Sequence, residues 1–238
     1  MINIKTMKII EKGIKVTYMK KLLLALLVLT VISFALYQKA SNQRNAAAQY
    51  NLGIMYDKGQ GVKQNYVKAA KLYKKAADQE HAGAQANLGF MYYYGQGVTQ
   101  NYIKTAKLYQ KASNQGNALA QYNLGIMYEK GQGVKQSYVK AAKLYKKAAD
   151  QGDAGAQANL GIMYEKGQGV KQSDVEAAKF YQKAANQGDT SAQNKLGFMY
   201  VKGQGVKQSD VKAKELFRKT CDGGSEWGCK AYAILNKR

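Results

Sequence analysis

Three groups of residues in this chain have types and spacings that could do chemistry. Gly-Gln-Gly recurs from Gly59, Gly95, Gly131, Gly167 and Gly203, and glycine-rich loops can cradle phosphate. Ser137-Tyr138-Val139-Lys140 and Ser209-Asp210-Val211-Lys212 fit Ser-x-x-Lys, in which a lysine activates a serine nucleophile. Cys221 and Cys229, the only two cysteines, could bond to each other or ligate a metal. A dinucleotide-binding loop follows a strand and needs a third glycine, whereas each Gly-Gln-Gly here follows a helical pattern and lacks one. A Walker-type loop needs Gly-Lys-Ser or Gly-Lys-Thr, and neither is present. Five copies at one spacing read instead as a structural turn built on backbone conformations that other residues resist. A zinc site needs four ligands, and two cysteines with one distant histidine do not supply them.

The elements around these loops repeat. Leu52-Gly53, Leu88-Gly89, Leu124-Gly125, Leu160-Gly161 and Leu196-Gly197 return every 36 residues, each followed by Gly-x-Gly-Val. Residues 46–81 match 118–153 almost completely, so the array grew by doubling a two-repeat block. Within one repeat, Ala120, Leu124, Met127 and Tyr128 fall at i, i+4, i+7 and i+8 of a first helix, A. Val139, Ala142, Leu144, Tyr145, Ala148 and Ala149 carry the apolar face of a second, B, which should stop at Gly152. The expected fold is all-α, an α/α superhelical solenoid of 36-residue helix-loop-helix repeats. Gly53, Gly89, Gly125, Gly161 and Gly197 lie inside helix A, where glycine costs about 1 kcal/mol against alanine, so close approach of helix B is expected there.

The pattern A-x-x-x-L-G-x-M-Y-x-x-G-x-G-V followed by K-A-A-x-x-Y-x-K-A-A-x-Q-G resembles the Sel-one-like repeat (SLR) family, relatives of tetratricopeptide repeats, from Tyr37 to the C-terminus. The resemblance implies a protein-interaction scaffold with no cofactor and no catalytic motif to carry over. Some cysteine-rich SLR proteins have been described as penicillin-binding or β-lactamase-like. Here the Ser-x-x-Lys serines sit at the start of helix B, where they read as N-caps, and the partner motifs Ser-Asp-Asn and Lys-Thr-Gly are missing. The chain therefore reads as a non-enzyme. Cys221 and Cys229, with no other cysteine to pair with, are expected to form one disulfide, in the manner of the cysteine-rich secreted SLR proteins.

Residues 1–18 form an uncertain basic leader, and Met19 is a second candidate start. Lys20-Lys21, the 15-residue apolar run Leu22 to Leu36 and the small-x-Ala pattern Ser33-Phe34-Ala35 read as a signal peptide over 19–35, cleaved after Ala35. The expected location is periplasmic or secreted, with an uncleaved inner-membrane anchor as the alternative. An N-terminal half repeat, 36–45, five repeats, 46–221, and a C-terminal capping helix, 222–238, follow.

Net charge is +22, falling to +17 without residues 1–35, which hold six Lys and one Glu. Lys63, Lys68, Lys71, Lys74 and Lys75 recur in most repeats and would line up as a basic stripe. Such a surface suits an acidic protein partner, an envelope polymer or an anionic membrane surface. Nucleic acid is not expected, because arginine is scarce and export removes that partner. A monomer that binds through its concave face is the simplest form. Tyr93-Tyr94 break the register, standing where other repeats place Asp57-Lys58, Glu129-Lys130 and Glu165-Lys166. They are candidate interface anchors on slots whose charges imply exposure. His81, in the place of Asp153 and Asp189, reads as an exposed substitution, and Trp227 as part of the C-terminal cap.

Overall fold

A computed structural model describes residues 19–237 apart from 23, 24, 26, 27 and 31. The leader, 1–18, and those five positions of the expected signal peptide lie outside the described residues. The chain divides into two compact units, Met1–Gln100 and Asn101–Arg238. Repeat by repeat the helices are α1 (Ala46–Lys58) and α2 (Tyr66–Ala77), α3 (Ala82–Tyr94) and α4 (Tyr102–Asn114), α5 (Ala118–Lys130) and α6 (Tyr138–Asp150), α7 (Ala154–Lys166) and α8 (Asp174–Asn186), and α9 (Thr190–Lys202) and α10 (Asp210–Asp222). A final A helix, α11 (Glu226–Asn236), has no B helix after it among the described residues. Residues 32–42 are also helical, and no strand occurs among the described residues. The fold is thus the all-α repeat array expected of an α/α solenoid.

Helix ends are set locally. Asn65, Ser137, Ser173 and Ser209 each accept the amide of the third residue onward, capping α2, α6, α8 and α10. His81 is not an idle substitution, because its imidazole accepts the Ala84 amide at 3.2 Å and caps α3 as Asp153 and Asp189 cap α7 and α9. Every A helix of the five repeats ends on a left-handed glycine, Gly59 to Gly203, whose N–H bonds the carbonyl four residues back. The second glycine of the later four loops, Gly97, Gly133, Gly169 and Gly205, has a different task. A methyl group on Gly169 would fall within 2.7 Å of Val139 N and closer still to the Tyr138 carbonyl, so the loop of one repeat sits directly on the backbone that opens the preceding B helix.

Within each unit the core has two layers of contact, A against its own B, as in α5 on α6, and B against the next A, as in α6 on α7. Ala120, Leu124, Met127, Ala142, Tyr145, Ala148 and Ala149 are all buried. Val139 departs from the expected face and is 52% exposed, in the first turn of helix B. Inside helix A, a methyl on Gly53, Gly125, Gly161 or Gly197 would meet the ring of Tyr73, Tyr145, Tyr181 or Phe217 at 2.5–2.7 Å. Gly89 is buried in α3.

A buried glutamine closes each turn between repeats. The side-chain amides of Gln49, Gln121, Gln157 and Gln193 donate to the carbonyls of Ser41, Ser113, Ala149 and Ala185, eight residues back. One repeat beyond Ala185 and Gln193 stand Cys221 and Cys229, whose sulfurs are joined with Cα atoms 4.5 Å apart. The covalent bond therefore takes the same two positions as the amide–carbonyl bond. Replacing both cysteines by serine is expected to remove about 2–3 kcal/mol, the loop-closure value for so short a span. The loss should be confined to α11, so hydrogen exchange there should rise while exchange in α5 to α8 stays unchanged.

Candidate interaction surface

The candidate surface is underlain by side chains that link each B helix to the A helices beside it. Tyr145, buried on α6, donates its phenol to Glu129 at 2.6 Å, and Asn159 of the next A helix hydrogen-bonds the same hydroxyl. Tyr181 donates to Glu165 at 2.5 Å, and Lys195, standing where earlier repeats have Asn159, reaches both Glu165 oxygens at 3.1 Å. Tyr73, Asp57 and Asn87 form a looser version, with 3.5 Å from hydroxyl to carboxylate. Burial first, then the adjacent carboxylate, pushes the Tyr145 and Tyr181 phenols far above their ordinary value, so they remain donors. Burial alone would raise Glu165, yet the Tyr181 hydroxyl and the Lys195 ammonium outweigh it and hold the carboxyl below its usual range. These bonds hold each B-helix tyrosine between its own A helix and the next.

The network changes the meaning of the Tyr93 position. Its counterparts Glu129 and Glu165 are half-buried acceptors rather than fully solvated charges, and Tyr93 is likewise half-buried. The exposed member is Tyr94, at 58%, with Phe90 at 42% beside it. Ring centroids lie 4.5 Å apart for Phe90 and Tyr94 and 4.9 Å for Tyr93 and Tyr94. Sequence reading missed Phe90, which stands in line with Ile54, Ile126 and Ile162 and whose position is phenylalanine again at Phe198.

The lysines are all exposed, Lys63 on the loop and Lys68, Lys71, Lys74 and Lys75 on α2. Lys68 holds its ammonium 5.2 Å from the Tyr56 ring centre, and Lys74 pairs with Asp78 at 2.8 Å, so part of the charge is already engaged. The Ser-x-x-Lys pairs have caps in place of nucleophiles. Ser209 Oγ accepts the Lys212 amide, while the Lys212 ammonium sits 5.2 Å from the Tyr200 ring centre; Ser137 and Lys140 repeat this with Tyr128. Among the described residues no group of three or more His, Cys, Asp or Glu side chains could hold a metal ion. Trp227 packs on Phe198 and Phe217, with ring centres 4.6 and 5.5 Å away, and stays 41% exposed.

The Sel1 repeat model matches residues 31–45, 46–81, 82–117, 118–153, 154–189 and 190–225. Comparison with curated protein sequences finds no match. Among solved structures the chain is similar to c5321, a protective antigen of uropathogenic Escherichia coli with an SLR fold. The two are 34% identical with a TM-score of 0.82, over 85% of this chain and 43% of c5321, so the chain spans less than half of that protein. A Sel1 repeat protein from Oxalobacter formigenes is 32% identical with a TM-score of 0.74, over 85% of this chain and 86% of that one. With its sequence signature, helix pairs and repeat register in agreement with these relatives, the chain belongs to the Sel1 repeat family.

Proposed function

We propose that this chain is an exported, non-enzymatic scaffold that binds a protein partner through its A helices, assisted by a basic surface. The observation that carries the reading is the Phe90–Tyr93–Tyr94 cluster, in which Phe90 and Tyr94 are exposed and Tyr93 is half-buried. Aromatic side chains supply much of the binding energy at protein interfaces, and Tyr93 takes the slot in which Glu129 and Glu165 accept internal bonds. The excess of lysine favours an acidic partner, with an envelope polymer or an anionic membrane surface as lesser candidates. The protective-antigen description of c5321 agrees with an exported role. Replacing Tyr93 by Glu and Tyr94 by Lys, the residues of the third repeat, is expected to leave helicity intact. Capture of the partner from an envelope extract of the native host should weaken at least about tenfold. Undiminished capture would remove the cluster from the interface.

One observation favours a second reading, a retained membrane anchor. The Phe34 ring stands edge-on to Tyr56 at 5.9 Å, and a methyl on Gly61 would lie 3.4 Å from Thr30, so residues before Ala35 pack on the first repeat. No helix of the described residues is long and apolar enough to cross a membrane. Intact mass of the protein from its native host separates the readings. Cleavage gives a species beginning at Leu36 in the soluble envelope fraction, and retention gives a longer one in the membrane fraction.

A further inference from the structure

The Tyr–acid–Asn network turns wholly apolar at one place. One repeat beyond Glu165, Tyr181 and Lys195 stand Val201, Phe217 and Ala231, so all three positions turn apolar together. Trp227 stands where earlier repeats place Gly155 and Ser191, and adds an indole to the same spot. The result is a cavity of about 290 Å³ between α9 and α11, lined by those three residues with Phe198, Trp227 and Ile234, and by Lys230 as its one charged residue. Phe198 is 42% exposed and Ile234 60%, so the cavity is open to solvent. Lys230 pairs with Glu226 at the surface rather than reaching into the cavity floor.

The size and surroundings select the occupant. A further B helix, from a second copy, would need the glycine that admits a ring in each earlier repeat, and α11 has Ala233 there. The volume suits one bulky side chain with its flanking backbone. Residues 190–238 hold ten Lys and Arg against four Asp and Glu, which favours an anionic approach. We propose that this cavity receives one bulky apolar side chain of an acidic peptide segment, a second anchor point for the partner. The proposal rests on the scaffold reading above and names the chemistry of one of its contacts.

Trp227 is the only tryptophan, so its emission reports on this cavity alone. The probe is an end-blocked Asp-Glu-Phe-Glu-Asp peptide titrated into the full chain at low ionic strength. Saturable change in emission is expected, weakened at least about tenfold when the central Phe is Ala or the flanking acids are Lys. The triple variant Val201→Glu, Phe217→Tyr, Ala231→Asn installs the network of the third repeat. It should melt within a few degrees of the parent and lose binding by about tenfold or more. No emission change with the acidic peptide, or equal binding by the triple variant, overturns the site. Equal binding of the Lys-flanked peptide overturns its acidic partner. Concentration-dependent self-association that the triple variant abolishes would assign the cavity to a second copy and overturn the peptide. Partner capture that survives the triple variant but fails with Tyr93→Glu, Tyr94→Lys removes the cavity and leaves the scaffold standing. Capture that survives both sets of changes removes the cavity and the aromatic cluster alike, whereas a parent chain that captures no partner sinks the scaffold reading.

Discussion

Gly169→Ala is expected to destabilise the array by about 3–5 kcal/mol, whereas Gly188→Ala should cost only about 1 kcal/mol. Both glycines hold left-handed backbone, with φ of +70° and +88°, so the conformational penalty of a side chain is similar at the two sites. They differ in what the new methyl meets. At Gly188 nothing lies within 4 Å, while at Gly169 the methyl strikes the backbone of Tyr138 and Val139. Backbone has no rotamer to escape into, so α6 must move away from the loop that rests on it. Urea midpoints of the two variants, read by circular dichroism, make the comparison. Equal losses would mean that the second glycine of the loop serves chain conformation alone and not the contact between repeats. Repeat arrays transmit strain only to neighbours, so exchange protection should fall first in α6 and α7.

Gly161→Ala should cost about 2–4 kcal/mol through a different contact. The added methyl would lie 2.6 and 2.7 Å from two ring atoms of Tyr181, a side chain only 1% exposed. The ring must swing, and in doing so it gives up its bond to Glu165. Truncating Tyr181 to Ala opens the space, so the double variant should be less destabilised than the sum of the singles by at least about 1 kcal/mol. Strict additivity would show that the glycine answers to something other than the ring. Tyr181→Phe would not relieve the clash, because Gly197 already faces Phe217 at 2.5 Å in the next repeat.

The array was legible because its signals are redundant. Leu-Gly and Gly-x-Gly-Val recur at one spacing, and each local choice of cap and turn agrees with the helix it bounds. Side chains that act across repeats were harder to read. Asp57, Glu129 and Glu165 look like solvated charges on one helix, and only the placement of Tyr73, Tyr145 and Tyr181 sixteen residues on turns them into half-buried acceptors. His81 was hidden for a related reason, since imidazole is an uncommon cap and its acceptor nitrogen becomes visible only against the Ala84 amide. Val139 follows the apolar period but is exposed in the first turn of its helix, where period does not imply burial. The change at positions 201, 217 and 231 is written in the sequence, yet nothing in a single helix shows that those three positions touch one space.

The bond between Cys221 and Cys229 gives the array a direction of unravelling. Turns closed by Gln49, Gln121, Gln157 or Gln193 are held by a bond that water can replace whenever a neighbouring helix loosens. The last turn is held by one that water cannot touch. A translocase or processive protease that pulls from the N-terminal side therefore meets reversible latches one at a time. One that pulls from the C-terminal side of Cys229 meets the closed covalent loop before any of those latches, so the two directions differ in the order of resistance.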